Sequence, residues 1–128
     1  MKHSTGKPTP AQQARLDAIH AMPCIACFKE AKFANKRGEL RLGQAGKTEA
    51  HHLTDKGYRI HSGGHDATIP LCTWHHRGEL IYPLSGTEMR QLHGPSFAKH
   101  KKEFIALYGS ERELLAETDE QLNKGLAA

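Results

Sequence analysis

Asp66-Ala67-Thr68-Ile69-Pro70-Leu71-Cys72-Thr73-Trp74-His75-His76 is the stretch that decides the fold of this chain. Its first half, Ala67 to Leu71 with Thr68 and Ile69, reads as a strand. Pro70 keeps that strand short or at an edge, because proline donates no ladder hydrogen bond. Its second half starts a helix near Thr73 that runs to about Leu80. Cys72 and His75 are three apart and share one helix face. Upstream, Cys24-Ile25-Ala26-Cys27 has the same two-residue spacer. Cys24, Cys27, Cys72 and His75 together form a Cys₃His set that can wrap one tetrahedral zinc ion with bonds of about 2.3 Å. A redox Cys-x-x-Cys would need a βαβ context, which is absent. Such an ion supplies on the order of 10 kcal/mol of folding free energy, comparable to the net stability of a whole domain.

His76 follows His75 at once. Successive helix residues diverge by roughly 100°. One imidazole can face the zinc while the next serves a second site or simply meets solvent. His51-His52 ends another predicted strand, over residues 47–53. Neighbours in a regular strand point to opposite faces. Both reach one site only if the strand end is bent; the alternative is one buried and one exposed ring.

Composition sets the bounds. The chain has 128 residues, enough for one domain. Only 38% are hydrophobic and 6% aromatic. A core that thin favours a structural metal. The net charge is +4 and the pI about 9.1, which suits a polyanionic partner. The cysteine count is odd, at 3, so metal ligands in a reducing compartment fit better than a disulfide framework. No apolar run approaches the ~18 residues of a membrane span. The first residues lack the apolar stretch of a secretory signal. The expectation is a cytoplasmic protein, with no membrane partner and no small-molecule cofactor.

Residues 1–9 read as a disordered polar lead, residues 10–122 as one domain, and residues 123–128 as a frayed tail. Thr9-Pro10 caps a first helix with Leu16, Ile19 and Met22 inward, and Pro23 ends it. Residues 29–46, with Lys29, Lys32, Lys36, Arg37 and Arg41, read as a basic loop or irregular hairpin. Residues 58–66 read as a glycine-rich loop, and Gly86 as a breaker in the following one. A helix over 95–108 presents Phe97, Phe104, Ile105 and Tyr108 on one side and Lys99, Lys101 and Lys102 on the other. Gly109 stops it. Ser110-Glu111-Arg112-Glu113 is a capping box that opens the last helix, with Leu114, Leu115 and Leu122 inward. The fold class is α+β: a small zinc-stabilised core with flanking helices.

Glu49-Ala50-His51-His52, followed by Asp66 through Leu71-Cys72-Thr73-Trp74-His75-His76, resembles the HNH (ββα-metal, His-Me finger) endonucleases. More narrowly, the chain resembles the phage and prophage recombination-enhancement (Ref-like, RecA-dependent) nucleases. Leu92-His93-Gly94, Phe104 through Tyr108-Gly109-Ser110, and Glu113-Leu114-Leu115 fit the C-terminal half of that family. The resemblance covers about residues 22–117. It implies DNA as substrate, a RecA filament as partner, and metal-dependent phosphodiester hydrolysis. His52 would be the general base, and His51 and His76 would hold the catalytic divalent ion. Asp66 would either orient His52 or add a carboxylate to the metal. Many HNH sequences carry Asp where this chain has His51, and Asn near Asp66. Two imidazoles suit zinc, nickel, cobalt or manganese better than magnesium. Longer family members carry a further basic N-terminal region that helps bind DNA. This chain shows a short polar lead with Lys2 and Lys7.

Other residues read two ways. His61, His65 and His93 are either contacts around the site or solvated loop histidines. Trp74 packs beside the zinc or stacks on a base. Lys29, Arg37, Arg41, Lys99, Lys101 and Lys102 are candidate nucleic-acid contacts, although charge runs are usually solvated faces. A non-catalytic zinc module that binds nucleic acid or protein is the main rival reading, and it leaves His51, His52 and His76 without a purpose. A zinc hydrolase of small substrates ranks last, because no His-Glu-x-x-His helix is present.

Overall fold

The computed structural model describes residues 5–38 and 44–127. Among these the order is α1 (Pro10–Ala21), α2 (Ile25–Lys36), β1 (Thr48–His52), β2 (Thr68–Cys72), α3 (Thr73–Arg77), α4 (Gly86–His93), α5 (Lys101–Tyr108) and α6 (Glu111–Ala127). Short 3₁₀ turns at Ile60–Ser62 and Gly64–Asp66 fill the link between the strands. The class is α+β. Arg41 and Lys2 lie outside the described residues, as does the start of the polar lead.

The strands pair antiparallel, with His51 opposite Ile69, His52 opposite Thr68 and Ala50 opposite Pro70. With two strands each has a free edge, so Pro70 needs to donate on neither side. All of β2 is buried, because α1, α2 and α6 pack against it. Arg15 on α1 ties these layers together. Its guanidinium donates to the Thr68 carbonyl at 2.7 Å and to Asp119 on α6 at 2.8 Å. The core gathers Leu53, Ile69, Leu71, Trp74, Phe97, Phe104, Tyr108 and Leu114 around the two buried cysteines.

The first helix starts as expected, with a Thr9–Gln12 capping box and Pro10 in its first turn. The basic stretch after Cys27 departs from the reading as a loop: Ile25 to Lys36 is helical. Cys24 caps it by accepting from the Cys27 N–H. Ala26, Glu30 and Ala34 then form its buried stripe at a spacing of four, and no Gly or Pro intervenes before Gly38. The lysines are the outer face of a packed helix. The helix after Cys72 ends at Arg77, short of Leu80, because Gly78 turns left-handed at φ 72°. Gly86 does not break a loop. It sits in the first turn of α4, behind a Ser85–Glu88 capping box. The helix expected over 95–108 is regular only from Lys101, and Ser96 caps the turn before it by accepting from the Lys99 N–H at 3.1 Å. The Gly109 stop and the Ser110–Glu113 reciprocal cap are as read. The last helix continues through Asn123 to Ala127.

Candidate active site

The knuckle before α2 and the β2–α3 junction bring Cys24, Cys27, Cys72 and His75 together. Their ligand atoms all lie within 4.8 Å of one another. Cys27 Sγ is 3.7 Å from Cys72 Sγ, and His75 Nδ1 is 3.4 Å from Cys27 Sγ and 3.2 Å from Cys72 Sγ. Metal–sulfur bonds of ~2.3 Å imply tetrahedral edges of ~3.7 Å, so the set can hold a zinc ion. Backbone N–H groups of Cys27, Ala45 and His75 each donate to a sulfur at 3.4 Å, as thiolates require. The three thiols cannot all ionise unaided. Hydrogen bonding to Cys24 and Cys72, then burial, pushes the Cys27 thiol up, while hydrogen bonds with Cys24 and Cys27 pull Cys72 down. A divalent cation removes that conflict by displacing the shared protons.

The outer support comes from the link between α4 and α5. His75 Nε2 donates to the His93 carbonyl at 2.8 Å, which aims Nδ1 at the sulfurs. Trp74 Nε1 donates to the Gly94 carbonyl at 3.0 Å. The Tyr108 hydroxyl donates to buried Glu30 at 2.6 Å. Burial and that carboxylate push the phenol far above its ordinary range. Trp74 is fully buried, so it packs beside the cluster and is not an exposed base platform.

A second group lies on the other side of α3. The rings of His51 and His76 meet edge to face with centroids 5.0 Å apart. Each carries a carboxylate on one nitrogen: Glu111 Oε2 is 2.6 Å from His51 Nε2, and Glu49 Oε1 is 3.0 Å from His76 Nδ1. Glu49 also accepts from Arg77 at 3.0 Å. Burial, the largest effect, lowers the His76 imidazole against the pull of Glu49. His51 Nδ1 is buried without any hydrogen-bond partner.

The pleat of β1 sends His52 elsewhere. Its Nε2 lies 2.9 Å from His65 Nδ1, and His65 Nε2 lies 2.8 Å from the Gly6 carbonyl. Burial, then electrostatic repulsion from Arg59 and the neighbouring imidazoles, lowers His52 to about 4. Asp66 takes neither expected position. It is exposed and accepts from Gln12 at 3.1 Å, while His65 occupies the place beside His52. Local sequence carried little signal for Glu111, which reads as an ordinary acidic first-turn residue.

The candidate nucleic-acid residues fall on two surfaces. Lys99 lies across the end of α3, with Nζ 5.7 Å from the Trp74 ring. Lys101 Nζ is 5.3 Å from the ring of Phe97, which itself touches His51. Lys102 is exposed. Lys29, on α2, is paired with Glu117 at 3.0 Å, and Arg37 follows as that helix's C-cap.

The family model for recombination enhancement, RecA-dependent nuclease matches residues 8–123. The chain belongs to the recombination-enhancement, RecA-dependent nuclease family. No solved structure gives a significant match. As a member of this nuclease family the chain has a hydrolytic role on nucleic acid, and both imidazole groups lie within the matched residues. Among the described residues no helix is long and apolar enough to cross a membrane.

Proposed function

We propose that this nuclease is an HNH-type, metal-dependent DNA endonuclease. Its cysteine cluster holds a structural zinc, and His51 with His76 holds one catalytic divalent ion. The observation that carries this reading is the His51–His76 pair. Each ring gives one nitrogen to a carboxylate, and the remaining nitrogen of His51 is buried and unpartnered. Imidazole donors favour zinc, nickel or manganese over magnesium. A bound cation would polarise the phosphate and stabilise the leaving oxygen.

His52 is the general base. His65 donates through Nε2 to the Gly6 carbonyl, so its Nδ1 accepts the Nε2 proton of His52. His52 Nδ1 then carries the lone pair that takes a proton from the attacking water. The lowered value near 4 keeps that ring neutral at pH 7. An approaching phosphodiester raises it by opposite charge, toward the range where base catalysis is efficient. Asp66 has no part in this reading. Lys99, Lys101 and Lys102 meet the DNA backbone, Lys101 lying over the Phe97 ring that touches His51. The substrate is DNA engaged by a RecA filament, in keeping with the family's description.

The test is a supercoiled-plasmid assay across magnesium, manganese, nickel and zinc, with and without RecA filaments. The His52→Ala variant should lose about 10²–10⁴-fold in rate yet bind metal as wild type does. His51→Ala and His76→Ala should each lose the second ion. Equal rates for wild type and His52→Ala would remove the base from the mechanism.

A further inference from the structure

We infer that Glu111 is the positioning residue that fixes His51 as a metal ligand. This rests on the His51–His76 cation site proposed above and names what sets its ring. Glu111 is 3% exposed and His51 5%, so their contact at 2.6 Å is shielded from water. The other groups on the carboxylate are donors. The Thr54 N–H reaches Oε2 at 3.2 Å, and the Thr54 hydroxyl reaches Oε1 at 3.4 Å. Glu111 also sits in the first turn of α6, where the helix dipole favours an anion. A carboxylate encircled by donors accepts from His51 as well, so the ring proton rides on Nε2. The lone pair is then on Nδ1, the one buried side-chain polar atom without a partner among the described residues. Buried polar atoms without partners are rare in folded proteins, and a cation would complete this one. Glu49 plays a looser part on His76, since Arg77 shares it.

A carboxylate behind a ligating imidazole fixes its tautomer and rotation, and losing it typically costs 10–100-fold in metal affinity. The test compares wild type with Glu111→Gln, each carrying one zinc per chain. Long-range ¹H–¹⁵N spectra of the histidine rings report the tautomer before any second ion is added. Nickel(II), titrated calorimetrically, then reports the second site. Wild type should show the Nε2–H tautomer at His51. In Glu111→Gln the introduced amide can donate to Nε2, so the Nδ1–H form should appear and nickel affinity should fall 10–100-fold. Leu114→Ala loosens the same helix from its apolar side and should leave both readouts unchanged. Retention of tautomer and affinity in Glu111→Gln overturns the inference alone. Equal losses in Leu114→Ala also overturn it, by making Glu111 merely structural. A wild type that binds no nickel beyond its zinc overturns the cation site itself, and this inference with it.

Discussion

Gly94→Ala should destabilise the Cys₃His side of the molecule without touching any of its four cluster residues. Gly94 sits at φ 84° and ψ −179°, a region that only glycine enters freely, at a cost of about 1–3 kcal/mol for other residues. A Cβ there would lie 2.1 Å from the Tyr108 hydroxyl and 2.5 Å from Glu30 Oε1. Neither can retreat, because both are buried and bonded to each other. Breaking a buried hydrogen bond to a charged acceptor costs roughly 1.5–3 kcal/mol. The sum is about 2.5–6 kcal/mol, a large share of the 5–15 kcal/mol typical of a domain. The neighbouring carbonyls of His93 and Gly94 anchor His75 and Trp74, so zinc should also be released faster to a chelator. Urea unfolding of the zinc-loaded proteins measures the first effect and chelator competition the second. A Gly94→Ala protein within about 0.5 kcal/mol of wild type, the usual scatter for benign surface changes, would refute the argument.

Cys27→Ser should abolish stoichiometric zinc and collapse the melting temperature, whereas His52→Ala should melt close to wild type; paired calorimetric scans with metal analysis compare them. Asp55 is held below its ordinary 3.8 by hydrogen bonds from Arg112, so its contribution is complete above that value and disappears as pH falls through the lower folded value. The urea midpoint of wild type should therefore fall toward that of Asp55→Asn only below about pH 4, and a constant gap down to pH 2 would contradict the pairing. Removing Lys99, Lys101 and Lys102 together should reduce the slope of log K against log salt for duplex DNA by up to about 0.9 per lost phosphate contact, and an unchanged slope would place DNA elsewhere.

The Cys₃His cluster was legible because its geometry is local. Cys72 and His75 share a turn, Cys24 and Cys27 share a cap, and the strand pair joins the halves. The basic run after Cys27 misled because charge was read as solvation, although Ala26, Glu30 and Ala34 recur every four residues. Ser85 and Glu88 spelled a capping box that the glycine between them obscured. Gly78 shortened α3 through a left-handed turn.

Spacing along the chain thus determined the Cys₃His set, the two strands and a minority of the helix ends, since each depends on neighbours within a few residues. It left open whether His51 and His52 share one site or point to opposite faces of β1, and the fold sends them to different partners. Only the folded chain decided what each ring meets. Glu111 reaches His51 across 60 residues, Glu49 reaches His76 across 27, and His65 displaces Asp66 from the side of His52. Periodicity tells a side chain which way to point from its own element. Which distant group fills the space opposite depends on how α6, α3 and the inter-strand loop close around the sheet.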